Sequence, residues 1–315
     1  MILVTGGLGF IGGRVIADLV SSGFKVKVAT SRKNGRLPND LVSCELVTLD
    51  LSCMENLLSI CEGVSVIIHL AGANANSCQA DPANALMVNG LGTLNLLNAA
   101  KTCSVKQFIY FSTIHVYGTP LSGEINEKKL PKPASSYAIT NRLAEDYTLA
   151  FGSSSELDVT VLRLSNAVGL PLTDHSDGWK LVVNDFCKQA ISSRAIVINT
   201  SGAQKRNFVA MQSLIEIVFG LVESGLGAMR SGVFDVGGDT VSILEMAKII
   251  SERCTKLFGY TIAIKTSSIR EDLASFEFDA KRIKEFNFRE HPLIDEIDKI
   301  LVYCNTNFNN TLSGK

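Results

Sequence analysis

The first half of the chain alternates short, apolar, β-branched runs with longer segments of helical period. The runs are Ile2–Thr5, Phe24–Ala29, Ser43–Leu49, Ser65–Leu70, Gln107–Ser112 and Asp158–Leu164. The helical segments are Gly12–Ser22, Met54–Cys61, Asn84–Cys103 and Ser135–Phe151. Strand and helix taking turns predicts βαβ units and a parallel sheet. Val66-Ile67-Ile68 and Phe108-Ile109-Tyr110-Phe111 are apolar without alternation, as strands covered on both faces require. The expected fold is α/β, a Rossmann-type doubly wound parallel sheet with a smaller C-terminal lobe. Its ligand crevice should lie at the carboxyl ends of the strands.

After Leu164 the rhythm breaks. Residues from about 165 to 206 mix glycine, proline and polar residues around a helical stretch, Trp179–Ser192. Val233–Val236 reads as a further strand, and Ser242–Phe258 as an amphipathic helix capped by Ser242. The predicted organisation is a sheet domain over 1–165 with 207–237 returning to it, a lobe built from 166–206 and 238–300, and a frayed polar tail over 305–315.

Composition narrows the class. Of 315 residues 46% are hydrophobic, enough for a sizeable core, and 30 basic against 31 acidic residues give a formal charge of −1. That balance lacks the basic footprint of a dedicated nucleic-acid binder. The eight cysteines, Cys44, Cys53, Cys61, Cys78, Cys103, Cys187, Cys254 and Cys304, form no CxxC pair and no zinc-spaced cluster with histidine. Reduced thiols, a cytoplasmic setting and no metal are expected. The N-terminal MILVTGGLGFIGG has no basic leader and breaks its apolar run at Gly6, so neither a signal peptide nor a membrane span is expected.

Gly6, Gly9 and Gly12 form G-x-x-G-x-x-G directly after the first strand and at the mouth of the first helix. Glycine there permits a tight turn and close approach of backbone to a pyrophosphate, which the helix N-terminus then attracts. A dinucleotide is therefore expected over the 1–165 domain. An Asp or Glu about 20 positions on would bond the adenosine ribose of NAD. The second strand instead runs into Thr30, Ser31, Arg32 and Lys33. Two hydroxyls and two cations suit a 2′-phosphate, so NADP(H) is favoured over NAD(H).

With these motifs in order, the sequence resembles the extended short-chain dehydrogenase/reductase family, in its NAD(P)-dependent nucleotide-sugar epimerase/dehydratase/reductase branch. The resemblance rests on TGGLGFIG (5–12), Leu49-Asp50-Leu51, His69-Leu70-Ala71-Gly72, Asn89 with GTLNLLNAA, FSTIHVYG (111–118), SYAITNRLAED (136–146), LRLSNAVG (162–169), KRNFV (205–209) and FDVGGDTVSILEMA (234–247). It places Gly6, Gly9, Phe10, Ile11, Gly12, Asp50, Leu51, Leu70, Ala71, Gly72 and Asn89 on the cofactor. It makes Thr113 and Tyr137 the pair that binds one substrate oxygen while hydride moves at the adjacent carbon, with Tyr137 as acid/base.

The family's Tyr-x-x-x-Lys is here Tyr137-Ala138-Ile139-Thr140-Asn141. Residues i and i+4 share a helix face, so the missing lysine would have stood beside the phenol. Asn141 can bond a ribose hydroxyl but brings no charge, and it is carried as a catalytic and cofactor-binding candidate with Tyr137. A protonated Tyr137 suits protonation of a developing alkoxide, so reduction of a keto-sugar at C4 is expected, with a 4-epimerase or a non-catalytic dinucleotide-binding homologue as alternatives. Family 4,6-dehydratases carry Asp-Glu where Ile114-His115 stand, which disfavours dehydration. His115 reads either as a strand-end histidine with locally satisfied hydrogen bonds, the favoured reading, or as a substrate contact.

The same resemblance assigns Asn166 to the sugar and nicotinamide, and Arg206 and Arg270 to the diphosphate of a nucleotide-sugar, a task for which guanidinium is suited. Asn207 replaces the family's Asp after the first of these arginines, leaving support for that loop open. The segments Asn84–Cys103 and Ser135–Phe151 resemble the helices of a four-helix dimer interface. A homodimer is expected, with Leu94, Leu97, Leu143 and Tyr147 as candidate contacts, and no nucleic acid or membrane as partner.

Overall fold

The computed structural model describes residues 1–32, 35–173, 176–223, 232–269, 275–284 and 288–308. Seven strands form one parallel sheet, in the spatial order Gly232–Val236, Asp158–Leu164, Gln107–Thr113, Val66–His69, Ile2–Thr5, Val26–Thr30, Glu45–Thr48. The order reverses between Ile2–Thr5 and Val66–His69. A crevice therefore opens beyond the strands' carboxyl ends at that switch. Both faces are dry. One buries Val4, Ile68, Ile109 and Leu162 under the helices Phe10–Ser21 and Met211–Glu223; the other buries Leu3, Ile67, Phe108 and Val161 under Gly92–Thr102 and Ser136–Ser154. This explains the uninterrupted apolar runs.

The single helix expected over Asn84–Cys103 is divided. A short helix, Pro82–Ala85, runs into a π-helical turn, Leu86–Leu91, and then Gly92–Thr102. Asn89 lies in that turn with its side chain drawn inward. Its Oδ1 accepts the Ala73 N–H at 2.7 Å and its Nδ2 donates to Thr140 Oγ1 at 3.0 Å. Securing the loop after the fourth strand is a physical reason for the extra residue in the turn.

Beyond the sheet, Asn166–Val168, Lys205–Ala210 and Asp239–Ser242 make a three-stranded sheet. A second core, including Phe186, Ile191, Ile250 and Leu301, is built on the helices Val182–Ser193, Ile243–Phe258 and Leu293–Asn307. Ser242 caps the middle one in a full capping box with Glu245. The tail expected to fray from residue 305 is ordered further than that. The last helix continues to Asn307, and the Phe308 ring meets Trp179 edge-on at 5.2 Å because Trp179 and Tyr303 already stack there; residues 309–315 lie outside the described residues. The turn Asp177–Lys180 brings this part of the chain onto the glycine loop, where a Cβ on Gly178 would come within 2.5 Å of the Phe10 ring. Among the described residues no helix is long and apolar enough to cross a membrane.

Candidate functional site

The strand Ile2–Thr5 turns sharply at Gly6, whose φ of +68° favours glycine. A Cβ there would lie 2.8 Å from the Ala71 nitrogen, and one on Gly12 would lie 2.5 Å from the Gly6 carbonyl. Gly9 is the N-cap, and Gly13 N–H closes the first helical bond to it at 3.1 Å. The N–H groups ahead of Gly13 therefore open at the helix mouth. There Gly6, Gly9, Phe10, Ile11 and Gly12 line a cleft of ≈ 610 Å³ that continues past Leu70 to Thr113, His115, Tyr137, Asn166 and Arg206. The structure thus brings together, in one cleft, half of the residues expected to act on cofactor and substrate.

A second cleft of ≈ 400 Å³ lies on the other side of the loop, between Gly7–Gly9 and Arg32, Arg36 and Pro38. Thr30 is buried and its Oγ1 accepts the Arg32 N–H at 3.2 Å, so it shapes the bend that presents Arg32. Ser31 is exposed, and Lys33 lies outside the described residues. Arg36 was not singled out from the sequence, because it lies beyond the strand end where a ribose contact is sought.

Other cofactor candidates do not line these clefts. Asp50 and Leu51 are not among the lining residues of either cleft. Asp50 accepts both the N–H and the hydroxyl of Ser52, which hold its pKa below the ordinary carboxylate value. Leu51 packs on Gly92, Ala71 donates its N–H to Thr5 Oγ1 at 3.3 Å, and Gly72 abuts the Asn89 amide. Asn89 is buried and bonded to Ala73 and Thr140, so here it braces the loop that carries Leu70.

The catalytic strip joins the end of Gln107–Thr113 to the first turn of Ser136–Ser154, a helix capped by Ser135. The Thr113 side chain lies close enough to the Tyr137 phenol to favour its charged form. Thr113 Oγ1 also accepts the N–H of His115 at 3.2 Å. Burial raises the Tyr137 pKa; Thr113 opposes this and Cys78 adds to it, and no cation is among these influences. The phenol is therefore protonated at neutral pH.

Asn141 departs from its expected place. It is buried, donates from Nδ2 to the Tyr137 carbonyl at 2.8 Å, and accepts the Tyr110 hydroxyl on Oδ1 at 2.9 Å. It is not among the residues lining the cleft. The short amide reaches its own helix backbone and the strand beneath, whereas a lysine's longer stem would extend further. Arg142 is turned to Glu145 and Asp146.

His115 also differs from its favoured reading. Its backbone is satisfied by Thr113, but among the described residues its ring nitrogens meet no hydrogen-bond partner, and the exposed side chain faces the cleft 6.3 Å from the Tyr137 ring, edge-on. Desolvation by the packed cleft wall, with the Arg206 guanidinium second, holds the imidazole below its ordinary pKa. Asn166 lines the cleft and donates to the Asn207 carbonyl at 2.8 Å. Asn207 supports its loop well: Nδ2 donates to the Gly238 carbonyl at 2.7 Å and to Thr240 Oγ1 at 2.9 Å, and Oδ1 accepts Gly238 N–H at 3.0 Å. Arg270 lies outside the described residues. Ser165, unnoticed in the sequence, lines the cleft with a buried hydroxyl that has no hydrogen-bond partner among the described residues.

Under the strip runs a buried polar chain. Glu145 accepts the Ser112 hydroxyl at 2.5 Å and Arg163 through Nε at 3.0 Å and a terminal nitrogen at 2.7 Å. Arg163 also donates to the Tyr117 hydroxyl at 2.8 Å, and Tyr117 donates to Asp235, 2.9 and 2.8 Å from its two oxygens. Burial pushes the Asp235 pKa up to about 7. The chain ties three strands to the helix of Tyr137 beside Ser112-Thr113.

Comparison with known proteins places this arrangement. The profile of the NAD dependent epimerase/dehydratase family matches residues 2–237. UDP-glucuronic acid decarboxylase 4 of Arabidopsis thaliana is 28% identical over 261 residues, 80% of this chain and 56% of that protein; the chain thus spans little more than half the length of that relative. The dTDP-D-glucose 4,6-dehydratase of Mus musculus is 27% identical over 259 residues, 78% of this chain and 71% of that protein. The UDP-glucose 4-epimerase of Thermotoga maritima, solved with UDP-glucose, superposes with a TM-score of 0.82 at 24% identity over 99% of each chain, a likeness of fold. With three quarters of its length matched from the first strand through Val236, the chain belongs to the NAD dependent epimerase/dehydratase family.

Proposed function

We propose that the protein is an NADP(H)-dependent reductase of a nucleotide-activated keto-sugar, acting at C4. Gly6 and Gly12 leave no room for side chains, the helix mouth offers its N–H groups, and the Ser165 hydroxyl seeks a partner in the same cleft. This suits a pyridine dinucleotide, which when bound in its reduced form supplies hydride. Arg32 and Arg36 suit a 2′-phosphate, and no carboxylate is among the described residues lining their cleft.

The observation that carries the reading is the state of Tyr137: protonated, beside Thr113, and with no cation among the described residues that shift it. Thr113 and Tyr137 hold the ketone oxygen, and Tyr137 gives up its proton as that oxygen gains negative charge. The reverse reaction needs a phenolate that burial disfavours. Arg206, with Arg270, grips the diphosphate and Asn166 orients the sugar. The segments 166–206 and 238–300 serve as the substrate lobe.

NADPH supplied with uridine, thymidine and guanosine diphosphate 4-keto-6-deoxyhexoses should be oxidised one for one with sugar reduced. Tyr137→Phe should slow this by about 10²-fold or more while still binding cofactor. The second reading, a 4-epimerase, is in keeping with the fold likeness to the Thermotoga enzyme and predicts that nucleotide-sugars with a hydroxyl at C4 are isomerised there without net cofactor turnover.

The protein is further proposed to form a homodimer. Leu97 is buried in the core beneath its helix and is removed from the candidate contacts. Leu86, Met87 and Leu91, on a segment packed against the Tyr137 helix, and Ile139 and Tyr147 on that helix, are exposed and supply apolar surface. Sedimentation should give a dimer that Ile139→Glu dissociates.

A further inference from the structure

We propose that Trp179 is a positioning residue for the coenzyme. Packed on Tyr303 and Phe308 near the end of the chain, it holds the turn Asp177–Lys180 against the glycine loop and so sets how long a dinucleotide stays bound. The inference rests on the reading that a pyridine dinucleotide occupies that loop.

The turn and the residues before it bear on both flanks of the loop. On one side Asp177, Gly178 and Lys180 line the larger cleft together with Phe10, and a Cβ on Gly178 would come within 2.5 Å of the Phe10 ring. Phe10 is the first residue of its helix, so the ring pressed by Gly178 belongs to the mouth whose open N–H groups attract a pyrophosphate. On the other side Leu172, Thr173 and Ser176 line the smaller cleft with Arg32 and Arg36, and a Cβ on Gly13 would lie 3.2 Å from the Leu172 side chain. Two bonds tie the sides together. Ser176 Oγ accepts the Gly178 N–H at 3.1 Å, and Trp179 Nε1 donates to the Thr173 carbonyl at 3.3 Å.

What anchors the turn to the lobe is the indole. Trp179 is 7% exposed; Tyr303 stacks on it at 5.6 Å, Phe308 meets it edge-on at 5.2 Å, and the Tyr303 and Phe308 rings meet at 6.1 Å. Lys188 Nζ stands 4.5 Å from the centroid of the Phe308 ring and adds a further hold. Tyr303 and Phe308 lie beyond residues 2–237, so the anchor comes from outside the part of the chain that matches the family profile. Coenzyme binding and the seating of the turn are then coupled, and weakening one weakens the other. With the aromatic set loosened, the turn parts from Phe10 more readily and the coenzyme leaves sooner.

Trp179 is the single tryptophan, so its emission is quenched by a reduced nicotinamide bound in the same subunit and recovers on release. The test loads the full-length protein with NADPH, or in parallel NADH, and mixes it in a stopped flow with excess oxidised coenzyme. The rate constant read is that of folded molecules, whatever their fraction. Phe308→Ala should release coenzyme about 2- to 12-fold faster than wild type, the worth of one such aromatic pair. Phe308→Tyr keeps the ring and should release near the wild-type rate, whereas Gly178→Ala, which wedges the turn off Phe10 from the other end, should also release faster. A wild-type rate in Phe308→Ala or in Gly178→Ala, or equal acceleration by Phe308→Tyr and Phe308→Ala, overturns the role of Trp179 and its stack alone. No quenching of wild type by either reduced coenzyme overturns the dinucleotide reading beneath it.

Discussion

Asn141 donates its side-chain amide to the main-chain carbonyl of Tyr137, one helical turn earlier, at 2.8 Å. Its other end accepts the Tyr110 hydroxyl, so the position holds a closed set of neutral hydrogen bonds beneath the phenol. The missing charge is thus built into the packing: Tyr110 is buried and depends on Asn141 for an acceptor.

Asn141→Lys should therefore have two effects. The Tyr110 hydroxyl loses its acceptor, at a cost of about 1–3 kcal/mol, while an ammonium near Tyr137 lowers the phenol pKa by about 1–3 units. Denaturant unfolding should show the loss, and Tyr110→Phe in the same background should recover part of it. Phenolate absorbance, taken as the difference from a matching Tyr137→Phe variant, should appear at lower pH. Unchanged stability together with an unchanged titration would contradict the role given to Asn141.

Arg163→Met should destabilise the protein, by up to about 3–5 kcal/mol, since it takes the bidentate cation from the buried Glu145 carboxylate and leaves it only the part-exposed Arg142. Glu145→Gln added to it should return part of that loss. A urea midpoint for Arg163→Met equal to wild type would show that the buried chain under the catalytic strip carries little energy.

Asp235 gives a pH dependence of definite sign. Its pKa of about 7 exceeds the unfolded value of about 3.9, so the native state holds the proton more tightly. The stability it contributes is full below about pH 4, falls as pH rises toward 7, and is gone above that. At about 1.4 kcal/mol per unit, the swing is at most about 4 kcal/mol. Tyr117, Glu127, Arg163 and Glu145 act on the same carboxyl. The difference in unfolding free energy between wild type and Asp235→Asn should shift in the variant's favour from pH 4 to 7 and then stay level.

How far the sequence goes is visible in these same residues. The sheet and its crevice were legible because Val66-Ile67-Ile68 and Phe108–Phe111 are apolar at every position and the glycines recur at the first helix mouth. Thr113 and Tyr137 were legible through the family resemblance of FSTIHVYG and SYAITNRLAED, and they lie close together in the structure. The π-helical turn at Leu86–Leu91 was not, because its cause is a long-range bond from Asn89 to Ala73 that no periodicity records. The direction of Asn141 depends on Tyr110, a strand residue 31 positions away. Likewise Ser165 and Arg163 read as ordinary strand residues until the strands beside them are in place, and the Phe308 contact with Trp179 turns part of an expected loose end into core.

Cofactor preference should respond to Arg32. A guanidinium–phosphate bond is worth about 1.5–3 kcal/mol, so Arg32→Ala should weaken NADPH binding by about 10- to 100-fold and leave NADH binding nearly unchanged. Titration calorimetry with the four coenzymes reads both. Equal losses for NADH and NADPH would remove the 2′-phosphate from the cleft between Arg32 and Gly7–Gly9.

The central claim is that Tyr137 and Thr113 hold a sugar ketone while hydride arrives from a dinucleotide on the glycine loop. It is tested most directly by a single turnover of the enzyme with NADPH carrying deuterium at nicotinamide C4 and a 4-keto nucleotide-sugar, followed by NMR of the product. The account predicts deuterium on sugar C4, in one configuration and in amount equal to the NADP⁺ formed. Sugar reduced at C4 without that label, or intact NADPH beside unchanged keto-sugar across the substrate panel, would contradict it.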